Sequence, residues 1–71
     1  MKLMVRNTKT GQVTFAEPTK EGYAKIAQAM VNAQRMGATV EDAGGTNTLK
    51  RMSDMGYDSE GKKHGFGFFG L

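Results

Sequence analysis

A chain of 71 residues without a cysteine has to hold its fold together by packing alone. A domain of this length buries only about 60% of the surface its unfolded form exposes, and small domains commonly offset that deficit with disulfides, a metal or a partner subunit. Disulfides and thiolate zinc sites are excluded here. His64 is the single histidine, which also excludes a zinc site built from several imidazoles. Efficient packing or self-association remains, so a homodimer stays open.

Packing of that kind is legible first in residues 2–16, which read as a β-hairpin. Leu3 and Val5 alternate with Lys2, Met4 and Arg6, and Val13 and Phe15 alternate with Gln12, Thr14 and Ala16. The period of two predicts Leu3, Val5, Val13 and Phe15 on one buried face, with Lys2, Met4, Arg6, Gln12 and Thr14 on the other. The connection Asn7-Thr8-Lys9-Thr10-Gly11 suits a type I turn closed by a glycine in the left-handed conformation. Pro18 ends the second strand and Thr19 is a sound helix N-cap. From Lys20 to Met36, Tyr23, Ile26, Ala27, Met30 and Ala33 recur at helical spacing, Glu21 and Lys25 form an i,i+4 pair, and Gly37 suits the position just past the end.

Beyond Gly37 the pattern thins. Ala38-Thr39-Val40 reads as a short third strand, and Thr46 or Asn47 can cap a second helix with Leu49, Met52 and Met55 on one side, stopped by Gly56. Residues 57–63 read as a loop, and Gly65 to Phe69 could form a last strand. The expected fold is therefore a single α+β domain over residues 1–71. In it an N-terminal β-hairpin packs on an amphipathic helix, followed by a second short helix and room for a C-terminal strand. No membrane-spanning or signal segment is expected, because Lys2 and Arg6 enclose only three apolar residues. The lack of cysteine fits a reducing, cytoplasmic setting.

The motifs of an enzyme are missing. His64 stands among glycines and lysines with no assembled nucleophile and orienting group. An EF-hand register starting at Asp54 places Gly56 and Ser59 where a ligand and a glycine belong. Gly65-Phe66-Gly67-Phe68-Phe69-Gly70 satisfies G-x-G-x-x-G, but a dinucleotide fingerprint must open a helix and only Leu71 follows in this sequence. No enzymatic activity, metal or cofactor is expected.

Charge gives the positive lead. Residues 1–16 carry Lys2, Arg6 and Lys9 without an acid, and the last residues carry Lys62, Lys63 and His64 likewise, whereas 17–60 holds seven acids against five bases. Basic ends would favour an anionic partner if they lie together. The run His64-Gly65-Phe66-Gly67-Phe68-Phe69-Gly70-Leu71 resembles the RNP1 segment of RNA-recognition motifs, with His64 for the basic residue, Phe69 for valine and Leu71 for the last aromatic. Leu3-Met4-Val5-Arg6-Asn7 is similar to the companion RNP2 strand, with Met4 in place of its aromatic. The likeness is local, since that family passes from its first strand to a helix without a tight hairpin.

It implies a non-enzymatic module for nucleic acid, single strands preferred. Lys2, Arg6, Lys9, Lys62 and Lys63 would hold phosphates, and Phe66 and Phe68 would stack on bases. The competing expectation is a small protein-binding modulator, such as an inhibitor encoded by a virus or mobile element that docks on a host protein complex. Leu49, Met52, Met55 and Phe69 would form its apolar docking strip. Packed as core or dimer seam, the same phenylalanines would do neither.

Overall fold

The computed structural model describes residues 2–64. The RNP1-like run beyond His64 and the expected last strand, with Phe66, Phe68 and Phe69, lie outside them.

Strands β1 (Leu3–Asn7) and β2 (Val13–Ala16) form the expected hairpin, followed by helix α1 (Lys20–Arg35), strand β3 (Val40–Asp42) and helix α2 (Thr48–Asp54). Both β2 and β3 pair antiparallel with β1, giving a three-stranded sheet in the order β2-β1-β3. The hairpin packs on α1, so the α+β expectation holds. Thr19 caps α1 as expected, accepting a hydrogen bond from the Gly22 amide at 3.0 Å. Past the helix end the amides of Gly37 and Ala38 return to the carbonyls of Gln34 and Ala33. The third strand starts at Val40 rather than Ala38, because Ala38 is still engaged in closing the helix.

One expectation is overturned by the turn itself. The Asn7 carboxamide accepts from the amides of Lys9 and Thr10, its carbonyl accepts from the Gly11 amide, and its amide donates to the Gln12 carbonyl. Gly11 sits at φ +79°, so Gly11 and Gln12 together oppose Asn7 in a glycine bulge. The extra residue shifts the register by one. Leu3 faces Ala16, Met4 faces Phe15, Val5 faces Thr14 and Arg6 faces Val13. Because side chains alternate, a one-residue slip turns the whole of β2 over. Val13 and Phe15, expected in the core, are 40% and 52% exposed, while Thr14, expected outside with Gln12, turns toward α1 beside Ala16.

The core is correspondingly small: Leu3 and Val5 from β1, Ile26, Ala27 and Met30 from α1, and Met52 from α2. Gly22 lets α1 close on the end of β2, since a Cβ there would lie 1.7 Å from the Glu17 carbonyl oxygen. The other edge of β1 outruns β3 and is finished by side chains. The buried Thr48 hydroxyl accepts from the Met4 amide at 2.7 Å, and the Thr46 hydroxyl and Ala43 amide both reach the Met4 carbonyl. Helix α2 is capped across the chain, by the Asp42 carboxylate on the Leu49 amide at 2.8 Å. Asn47 occupies the cap position in the left-handed region with no side-chain bond.

Residues 57–64 are more ordered than the expected loop. Tyr57 and Lys63 form an isolated antiparallel bridge, and the Asp58 carboxylate gathers the amides of Glu60 and Lys62 and the His64 imidazole. Gly61, at φ +84°, is buried against the backbone of α1 at Ala27.

Candidate functional site

Two surfaces flank the sheet, and the glycine bulge creates the first. With β2 turned over, its apolar residues join the outward positions of β1, so Met4, Val13 and Phe15 share the face that no helix covers. Each end of that face carries an ion pair. Lys2 Nζ lies 2.7 Å from Glu17 Oε2 and 5.9 Å from the centre of the Phe15 ring. At the other end Arg6 binds the Glu41 carboxylate through Nε, at 2.7 Å, and through Nη2. The hydrogen bond and charge of Lys2 hold the Glu17 carboxyl below the usual carboxylate range. The face is therefore an apolar centre between two self-neutralised pairs.

The second surface is a cleft of about 280 Å³ between the sheet and the outer half of α1. Val5, Ala29 and Val40 contribute apolar lining. Gln12 comes from the residue before β2, and the inward-turned Thr14 from β2 itself. From α1 come Lys25, Gln28 and Asn32, spaced to share one side of the helix. Gln28 Nε2 donates to Asn32 Oδ1 at 3.0 Å, which leaves the Gln28 carbonyl and the Asn32 amide group directed to other partners. No carboxylate lines this cleft. The expected Glu21–Lys25 ion pair does not form among the described residues, where Lys50–Asp54 is the i,i+4 pair.

The cations expected to hold phosphate are not gathered into one patch. Lys2 and Arg6 share the outer face, each bound to a glutamate. Lys9 donates to the Met36 carbonyl past the end of α1, at 3.2 Å. Lys62 lies 3.9 Å from Glu60, and Lys63 sits over the Tyr57 ring at 5.7 Å. Of the apolar docking strip, Met52 is 1% exposed and belongs to the core, Leu49 is half-buried, and Met55 is exposed. Leu49 and Met52 help line an apolar cleft of about 330 Å³ with Met30, Val40 and Tyr57.

Sequence reasoning missed Phe15, Val13, Glu17 and Glu41 as outer-face residues, and Thr14 with Gln12 as cleft residues. The signal that could have found them is Gly11, whose left-handed turn adds a residue to β2. Comparison with protein-family models, with curated proteins and with solved structures returns no match. Among the described residues no helix is long and apolar enough to cross a membrane.

Proposed function

We propose that this chain is a non-enzymatic binding module that docks on a protein through the outer face of its sheet. The observation that carries the reading is Phe15, half exposed beside Met4 and Val13 on a face whose two cations already have carboxylates. Interfaces between proteins combine an apolar, often aromatic, centre with a polar rim, and the ion pairs at the two ends provide such a rim. Phosphate binding draws on uncompensated lysine and arginine, which this face does not offer.

Capture experiments with tagged wild-type protein and Phe15→Asp test the reading. A protein recovered in stoichiometric amount with wild type, lost with Phe15→Asp and retained by Met55→Asp is the expected result. Capture indifferent to Phe15 would contradict it.

A second reading, single-stranded nucleic acid, is favoured by two cation–aromatic pairs, Lys2 with Phe15 and Lys63 with Tyr57. Such pairs can hold a phosphate beside a stacked base. Oligonucleotide binding that weakens steeply with salt and is lost in Phe15→Ala would establish it. Binding that is absent at low salt would end it.

A further inference from the structure

The cleft between β2 and α1 lies on the other side of the sheet, and its chemistry is independent of the docking reading. Its polar lining consists of carboxamides, a hydroxyl and one ammonium: Asn7 and Gln12 from the two ends of the hairpin turn, Thr14 from β2, and Lys25, Gln28 and Asn32 from the helix. Carboxamides offer a donor and an acceptor side by side, the arrangement that pairs with the edge of a nucleobase. The Gln28–Asn32 hydrogen bond joins two of them, leaving the Gln28 carbonyl oxygen as acceptor and the Asn32 amide group as donor. Val5, Ala29 and Val40 give a flat ring apolar contact. No carboxylate lines the cleft, so Lys25, whose other side meets a pocket lined by Glu17 and Glu21, is placed to hold an anion within it.

The volume, about 280 Å³, falls just below the usual range for ligand sites, which suits one ring system with a charged group at the rim. We propose that this cleft binds a nucleotide unit. The carboxamides of Gln12, Gln28 and Asn32 and the Thr14 hydroxyl recognise the base edge, and Lys25 holds the phosphate. The unit can be a free mononucleotide or one residue of a single strand, because both present the same base and phosphate.

The side-chain amide signals of Gln12, Gln28 and Asn32 report directly on the site in nitrogen-15 NMR spectra. Adenosine, guanosine, cytidine and uridine monophosphates are titrated separately to millimolar concentration, in parallel with short single-stranded oligonucleotides and with inorganic phosphate. At least one nucleotide is expected to move these signals saturably. Lys25→Gln and Asn32→Ala, both at exposed positions, should each weaken the binding about tenfold. A mononucleotide that binds as tightly as the oligonucleotide identifies the free form as ligand; a strand that binds much more tightly identifies the strand. Absence of saturable shifts with every nucleotide and oligonucleotide overturns the proposal. Equal shifts with inorganic phosphate alone, or binding unchanged in both variants, overturns it as well.

Discussion

On the outer face of the sheet, each basic side chain is bound to a carboxylate from a neighbouring segment, Lys2 to Glu17 and Arg6 to Glu41. In the cleft on the inner side there is one lysine and no carboxylate, and the polar groups are carboxamides and a hydroxyl. The same two strands supply both surfaces. What divides them is the alternation of β2, which sends Val13 and Phe15 outward and Thr14 toward the helix. Net positive charge in the sequence is thus a poor guide to where an anion can bind. The cations closest to aromatic and apolar side chains on the sheet are already neutralised, whereas Lys25 of α1 borders the acid-free cleft on one side and a pocket containing Glu17 and Glu21 on the other.

The strongest way to break the comparison is to separate the layers that define it. Gly22→Ala would place a methyl group 1.7 Å from the Glu17 carbonyl oxygen, where helix backbone and strand end meet. The backbone must move, and we expect a loss of roughly 3 kcal/mol or more, or failure to fold, read from denaturant unfolding. Wild-type stability in this variant would show that α1 does not close on β2 as described. Next in size is Thr48→Val, which keeps the shape and removes the buried hydroxyl that the half-buried Met4 amide reaches. A loss of about 1–3 kcal/mol is expected from the unsatisfied donor. A neutral outcome would mean that the β1 edge is satisfied by other groups.

The double variant Glu17→Gln, Glu41→Gln sharpens the comparison with little effect on stability, because exposed ion pairs contribute little. It makes the outer face basic. Salt-sensitive binding of single-stranded oligonucleotide should appear or increase in this variant, and an unchanged affinity would argue that charge compensation is not what distinguishes the two faces.

The smallest expected effect is in pH dependence. Glu17 is held low by Lys2, and Asp58 by the His64 hydrogen bond and then by the amides of Lys62 and Glu60. For a carboxyl whose folded pKa lies below its unfolded value, the stabilisation is complete above the unfolded value and is lost as pH falls through the folded one. Melting temperature should therefore be insensitive to these two groups near neutrality and decline on the acid side. The decline should be shallower in Glu17→Gln and in Asp58→Asn; identical acid limbs would show that neither pair contributes.

Much of the architecture was legible because it rests on local signals. Alternation marked both strands, helical spacing from Tyr23 to Ala33 marked α1, and Thr19 and Gly37 marked its ends. The site was less legible, and the reason is a single residue of register. Asn7 and Gly11 mark the turn, but alternation alone places Phe15 in the core and Thr14 on the surface, and the bulge that such a turn inserts reverses both. Long-range satisfaction was also out of reach. Thr48 finishing the edge of β1 depends on segments 44 residues apart meeting in space, and the Asp42 cap of α2 depends on the path of the loop between β3 and α2, which no periodic pattern marks. Lys25, Gln28 and Asn32 lie at helical spacing, but which strand residues face them depends on the register of β2.

The central claim is that the two surfaces act independently, and the most direct test is nucleotide titration of Phe15→Asp followed on the side-chain amide signals of Gln12, Gln28 and Asn32. The affinity of wild type is expected, because Phe15 points away from the cleft. Loss of nucleotide binding in this variant, with the fold intact, would contradict it and place both chemistries on one surface.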